Sequence, residues 1–258
     1  MLLAIDIGNT SIHLGIFRVT KLLGKSRIPT HPRKSATEYK SEIKEFLAEN
    51  KVSAPLEGVV ISSVVPELTG SLESAVKGIA GREPLVVGTS HIRGLSFGVE
   101  RPHEIGTDRL ADMIAAMDIF GSPVLVVNFG TATTISACKN DIFLGGAILP
   151  GIGLMSDALG RGTSKLPRVN PSALLSKNLP LSAIGKDTNM GIVSGIIYGT
   201  AGAVELLIEK MEAEENCRFS IVTTGGYAEI MARFLNREHT LDPDLTLKGL
   251  ISIYKGSA

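Results

Sequence analysis

A polar turn occurs twice in this chain, and the repetition limits the possible folds more than any other feature. Val124-Leu-Val-Val-Asn-Phe-Gly-Thr-Ala-Thr-Thr134 reads as a buried, β-branched strand, a glycine turn and a returning strand rich in hydroxyls. Leu2-Leu-Ala-Ile-Asp-Ile-Gly-Asn-Thr-Ser-Ile-His-Leu-Gly-Ile-Phe17 follows the same plan, so Asp6-Ile-Gly-Asn-Thr10 aligns with Asn128-Phe-Gly-Thr-Ala132. Two copies in one 258-residue chain predict a duplicated domain with a cleft between the halves. Gly121-Ser-Pro123 punctuates the chain just before the second copy, which sets an N-terminal domain at 1–119 and a C-terminal domain at 120–258.

Strands alternate with helices in between, the pattern of an α/β domain. After the first hairpin, Leu22 to Pro29 predicts a third strand. Ser35-Ala-Thr-Glu38 is a capping box for a helix with Tyr39, Ile43, Phe46 and Leu47 on its apolar face. Val59 to Val65 reads as a buried strand, Leu68 to Ile79 as a helix, and Pro84 to Val87 as another strand. A polar loop from Phe97 leads into a helix over Leu110 to Ile119. Three more strands are predicted at Val124–Asn128, Thr133–Lys139 and Asp141–Leu149. A helix then opens at Gly151, and a long one runs from about Met190 to Met211. Strand Phe219–Thr223 precedes Gly225-Gly226 at a helix start, and a last helix covers Leu245 to Tyr254.

Composition narrows the class without naming it. Twenty-six basic residues balance 26 acidic ones, so overall charge gives no reason to propose nucleic acid or an anionic membrane as a partner. Cys138 and Cys217 are too few for a disulfide framework and read as buried thiols in a reducing compartment. Met1-Leu-Leu-Ala-Ile5 runs into Asp6 with no basic n-region, unlike a signal peptide. No uncharged apolar run reaches the roughly 18 residues of a membrane span. A cytoplasmic protein is expected.

The two turns carry the chemistry. Gly8 and Gly130 allow a ligand close to the backbone, and the adjoining hydroxyls and amides suit phosphate oxygens. Asp6 ends a buried strand, where a carboxylate is costly unless it is paired or near a metal. It suits Mg²⁺, held through water beside nucleotide phosphates. An ordinary hairpin would use the same residue types, and the second copy favours phosphate binding. Gly106-Thr-Asp-Arg109 stands at a helix start, with Thr107 as N-cap and Asp108 suited to the positive end of the dipole. Arg109 is out of place there, which points to a base beside an anion-binding group. Gly145-Gly-Ala-Ile-Leu-Pro-Gly151 suits close packing first and ligand approach second. Thr224-Gly-Gly226, between a buried strand and a helix, offers a place where a nucleotide could lie against the backbone, and a tight βα turn would look the same. Gly185-Lys186 is no P-loop, because Asp187 stands where Ser or Thr is needed. The five histidines are scattered and need no special role.

With these residues in place, the chain resembles the type III pantothenate kinases of the acetate/sugar kinase–Hsp70–actin superfamily. The resemblance spans nearly the whole chain. It rests on Asp6–Thr10, Ile61-Ser-Ser-Val-Val-Pro66, Glu104-Ile-Gly-Thr-Asp-Arg109, Phe129–Thr134, Gly145–Gly151, Lys165-Leu-Pro167, Thr224–Gly226 and Asp242-Pro-Asp-Leu-Thr-Leu247. It implies duplicated ribonuclease H-like (actin-like ATPase) domains, a homodimer, and ATP-dependent phosphorylation of pantothenate as the first step to coenzyme A. By motif, Asp6, Ile7, Gly8, Asn9, Thr10, Ser11, Ile12 and His13 form the first phosphate loop, and Thr131 contacts ATP in the second. Asp108 matches the general base. Gly106, Thr107, Asp108 and Arg109 line the pantothenate site, with Thr188 contributed near the dimer interface. Mg²⁺ accompanies ATP, and a monovalent cation, K⁺ or NH₄⁺, is implied. Two positions depart from the family. Its cation-binding Asp is Asn128 here, which offers an amide oxygen without net charge. Its substrate-contacting Tyr falls on Val99, and a nearby Asn on Arg101. Two rivals follow: a weak or inactive homologue with a regulatory binding role, and a kinase for another small alcohol.

Overall fold

The computed structural model describes residues 1–53, 55–175 and 181–257. They divide into two compact units, one of residues 1–119 with 244–258 and one of residues 120–243.

The first unit is built on a five-stranded sheet. Its strands are β1 (Leu2–Ile7), β2 (Ser11–Arg18), β3 (Lys21–Pro29), β4 (Gly58–Ser63) and β5 (Leu85–Val86), in the order β3-β2-β1-β4-β5. β1 and β2 are antiparallel, with Asp6 opposite His13, while β1 and β4 are parallel, with Asp6 opposite Ser62. Alternation then sorts the side chains. Leu3, Ile5, Ile7, Ile12, Leu14 and Ile61 pack with α1 (Ala36–Glu49) and α2 (Pro66–Ala80) in one core. Asp6 and Ser62 therefore point to the opposite face. The capping box at Ser35 forms as expected, with Glu38 N donating to Ser35 Oγ at 3.3 Å and Ser35 N to Glu38 Oε2 at 2.8 Å. The short strand β6 (Ser96–Phe97) and a 3-10 turn at Pro102–Glu104 lead to α3 (Thr107–Phe120).

The second unit repeats the plan. β7 (Val124–Phe129), β8 (Ala132–Lys139) and β9 (Ile142–Pro150) form an antiparallel meander, and β10 (Ser220–Thr224) and β11 (Thr240–Leu241) run parallel to β7 on its other side. Read as β9-β8-β7-β10-β11, these five strands follow the order of the first sheet. Asn128 takes the place of Asp6, opposite Thr224 where Asp6 faces Ser62. These are duplicated ribonuclease H-like domains. One detail of the alignment changes: Ile7 pairs with Ile12, but Phe129 pairs with Thr133, so the second turn is one residue shorter. Thr133 thus occupies the core position of Ile12, and its fully buried hydroxyl has no partner among the described residues.

Helices α4 (Ile152–Gly162), α5 (Pro171–Leu175), α6 (Thr188–Glu215) and the single-turn α7 (Ala228–Met231) complete this unit. Asp187, the residue that excluded a P-loop, is the N-cap of α6 and accepts from Met190 N at 2.9 Å. With 28 residues, α6 is long and apolar enough to cross a membrane by length and composition. Half of its apolar window is buried, and Ile192, Val193, Ile196, Ile197, Val204 and Ile208 join the core of the second unit. A core helix of a soluble domain has these properties.

The last helix corrects the expected division. α8 (Leu245–Ser257), expected within 120–258, belongs to the first unit, against β1, β2 and β4. Lys25 Nζ holds Asp244 at 2.6 Å, and Ser252 Oγ donates to Asp118 at 2.6 Å. Gly249 lies flush on α3, where a Cβ would overlap the carbonyl of Ala111. The apolar face of α8 needs a sheet face to cover, and its own sequence does not say which sheet. Cys138 is buried as expected, whereas Cys217 is only half-buried; neither is joined in a disulfide.

Candidate active site

In the first unit the site forms around the end of β1. Asp6 Oδ1 is buried and has no hydrogen-bond partner among the described residues. Ser62, opposite on β4, bonds the Asp6 carboxyl, and Ser62 Oγ lies 2.9 Å from Thr107 Oγ1. Burial, reinforced by the charges of Asp108 and Asp112, pushes the Asp6 carboxyl up to about 8. An acid with one buried, unsatisfied oxygen beside two other aspartates is a place for a cation or a proton. The oxygen donor suits Mg²⁺. Among the described residues no group of three or more His, Cys, Asp or Glu forms a metal cage. The fit is therefore to an ion carried mainly by other ligands, such as phosphate oxygens, with Asp6 as outer partner.

The turn after Asp6 is tied down by its own backbone. Gly8 N donates to Ser11 O at 3.0 Å, and Thr30 Oγ1 donates to Gly8 O at 2.7 Å. Asn9 and Thr10 are exposed at the tip. Ile7 and Ile12 are wholly buried in the core, so they offer a ligand only their backbone. Ser11 Oγ lies 2.8 Å from His13 Nε2. Burial, together with Arg27 and Lys25, lowers the His13 imidazole from its ordinary value, which favours a neutral ring.

The segment Gly106–Arg109 arrives next to Asp6 through α3. Thr107 does not cap the helix as expected. It is the first helical residue, and its hydroxyl accepts from Ser63 N at 3.2 Å and meets Ser62, pinning the helix start to the end of β4. A Cβ on Gly106 would meet Asp108 Oδ1, so the glycine leaves that carboxyl its place. Arg109 N donates to Asp108 Oδ1 at 2.8 Å. Burial raises the Asp108 carboxyl above its ordinary value, against the lowering effect of that bond and of the Arg109 charge. Burial lowers the Arg109 guanidinium, and Asp108 and Asp112 oppose it. These carboxylates explain how a cation is tolerated in a first helical turn. Val99 is half-buried in the stretch after β6. Arg101 is exposed and spends its charge on Glu104, at 2.7 Å.

In the second unit the glycines gather on the shorter turn. Gly130 N donates to Ala132 O at 3.1 Å, and Gly151 N to Thr131 O at 3.1 Å. A Cβ on Gly151 would overlap the carbonyls of Gly130 and Thr131, so the start of α4 lies flush on the turn. Gly225, with φ +96°, lies against Asn128 Oδ1 and the backbone of Phe129, and Tyr227 N donates to Phe129 O at 3.0 Å. Asn128, Gly151 and Gly225 thus frame one turn, with Thr131 exposed at its tip. Thr188 is exposed at the start of α6. Sequence reasoning passed over Ser62 and Asp112. Ser62 carried a signal, since a Ser-Ser pair ending a buried strand needs partners; Asp112 looked like any helix-surface acid.

Duplicated ribonuclease H-like units with hydroxyl- and glycine-rich turns, and an acid–arginine pair at a helix start, define the actin-like ATPase and sugar-kinase class of fold. A solved structure of that class is the activator of the 2-hydroxyisocaproyl-CoA dehydratase from Clostridium difficile with bound ADPNP. It superposes with a TM-score of 0.61 at 12% identity, over 99% of this chain and 95% of that one, a likeness of fold alone. Within the class, the chain belongs to the type III pantothenate kinase family, whose model matches residues 2–210. It is 39% identical to the type III pantothenate kinase of Moorella thermoacetica, over 99% of both chains. It is 36% identical to that of Bacillus cytotoxicus, over 100% of this chain and 97% of the relative.

Proposed function

We propose that this chain transfers the γ-phosphoryl group of ATP to the hydroxyl of pantothenate, giving 4′-phosphopantothenate in the first step of coenzyme A biosynthesis. Family membership supports the reaction, and ATP with a divalent metal ion is what a kinase of this family requires. The observation that carries the reading within the chain is Asp108. It is a half-buried carboxylate with a raised pKa, next to Arg109 and close enough to Asp6 for its charge to act on that carboxyl.

Asp108 takes the proton of the pantothenate hydroxyl as the phosphoryl group arrives, and a base raised towards neutrality does this best. Arg109 meets the pantothenate carboxylate, holding the hydroxyl in line. Gly8 to His13 and Thr131 offer backbone and hydroxyl groups to ATP. Asp6 would offer its carboxyl to the Mg²⁺ that accompanies ATP, through water. The ion, when bound, offsets the charge on the transferring group. Asn128 offers its amide oxygen to K⁺ or NH₄⁺. Thr188 adds a substrate contact from a homodimer, and the protein acts in the cytoplasm.

One observation favours a second reading, a kinase for another small alcohol. Val99 removes a phenol that the family uses for pantothenate, and Arg101 is tied to Glu104 instead of replacing it. ADP release by purified protein, with pantothenate or other small alcohols in K⁺ or Na⁺ buffer, decides between them. Pantothenate-dependent turnover is expected. None in either buffer overturns the proposal, and turnover with another alcohol alone supports its rival.

A further inference from the structure

One buried carboxyl beside the site has no role in the proposed reaction. Asp112 lies one turn beyond Asp108 on α3, is only 2% exposed, and accepts a 2.5 Å hydrogen bond from Thr246 Oγ1 on α8. Thr246 belongs to Asp242-Pro-Asp-Leu-Thr-Leu247, a motif that the reaction leaves unexplained. The two helices meet closely at this point, since Gly249, three residues after Thr246, presses on the backbone of Ala111 beside Asp112. An aspartate this buried is costly, and a structural staple between helices does not require a charge.

What a charge does supply is a counterion for Arg109. Arg109 is three residues before Asp112, on a neighbouring part of the helix surface, in a first turn where the helix dipole disfavours a cation. Asp108 and Asp112 both act on its guanidinium. If Asp108 takes up a proton during the reaction, its charge leaves at the moment Arg109 must stay in place. Asp112 is held in place by Thr246, one helical turn beyond Asp108.

Resting on the reading of Gly106–Arg109 as the pantothenate site, we infer that Asp112, locked by Thr246, is a positioning residue. Its carboxyl, fixed in place, holds Arg109 for the substrate carboxylate. The C-terminal helix thereby has a part in substrate affinity and not only in the packing of the first unit. The specificity follows from the chemistry, because an arginine held in this way selects alcohols that also carry a carboxylate.

The test is pantothenate binding and turnover by the full chain and by Thr246→Val, Thr246→Ser and Asp112→Asn, with melting temperatures recorded alongside. Thr246→Val should raise the pantothenate Kd and KM about 3- to 10-fold, and Asp112→Asn about 10-fold or more, within the range of a hydrogen bond to a charged group. The KM for ATP should stay within about two-fold, and Thr246→Ser, which keeps the donor, should restore pantothenate affinity. Pantothenate binding by folded Thr246→Val and Asp112→Asn equal to that of the wild type overturns the inference and leaves the kinase reading standing. Equal rises in both KM values, in step with a lower melting temperature, overturn it in favour of a packing role. No pantothenate binding by the wild type overturns the reading of the site and this inference with it.

Discussion

The two turns share a backbone plan and differ in what they put on it. At the end of β1 stands Asp6, a carboxylate with one oxygen unpartnered among the described residues and two other aspartates close by. At the matching place on β7 stands Asn128, a neutral amide packed against Gly225 and Gly130. Around the first turn the sequence spends charge: Asp108, Arg109 and Asp112 on a helix that starts beside it. Around the second it spends glycines, which bring α4 and the segment after β10 flush onto the loop. Duplication conserved the sheet order, and the chemistry was divided. One copy became electrostatic, and the other became a turn lined by glycines and backbone.

The division can be broken experimentally, and the largest effect should come from the charged turn. Asp108→Asn should lower pantothenate-dependent turnover about 10²- to 10⁴-fold, the usual contribution of a general base. Full activity in this variant would mean that the charged side of the comparison lies elsewhere.

Asp6→Asn makes the first turn resemble the second. Turnover should fall roughly 10- to 100-fold, as for loss of a partner in the outer shell of a metal ion. Stability should move the other way. The folded protein holds the Asp6 proton up to about 8, far above the ordinary carboxylate value of 3.8, so the folded state binds more protons across that interval. Stability of the wild type is therefore lost as pH rises from about 4 towards 8. Asp6→Asn should escape that loss and gain on the order of 1–3 kcal/mol near the top of the window, the scale of an unsatisfied buried polar group. Melting temperatures across the pH range, without nucleotide, would show two parallel curves if Asp6 did not titrate in this way.

Gly225→Ala attacks the glycine side. Its φ of +96° and the adjoining backbone of Phe129 leave no room for a Cβ. Destabilisation above about 1 kcal/mol is expected by denaturant titration, with a raised KM for ATP. An unaltered ATP KM would show that the second turn is only packing. The smallest effect should come from Asn128→Asp, which gives the second turn the charge of the first. Activation by K⁺ over Na⁺ should increase, and an unchanged salt response would separate residue 128 from cation binding.

Much of this was legible in the sequence wherever the cause is local. The capping box at Ser35, the apolar face of α1 and the strands flanking each turn depend on neighbours a few residues apart, and they appear as periodicity or as fixed spacing. The candidate residues at both turns were visible for the same reason. The N-cap assigned to Thr107 was wrong because its hydroxyl is claimed by Ser63 N, a partner far back in the chain. Val99 and Thr188 were placed by motif, and nothing in their local sequence says what they touch.

By itself, the sequence determined the duplication, the α/β character and the acid–arginine pair, because strand alternation, turn chemistry and a helix start are written into adjacent residues. Only the tertiary structure decided that α8 returns to the first unit, that the second turn is one residue shorter, and that Thr246 locks Asp112. These depend on which buried faces meet and on which carboxylates lose their water together. Contacts between residues so far apart in the chain leave no periodic trace, and a pKa near 8 at Asp6 exists only once its neighbours have closed around it.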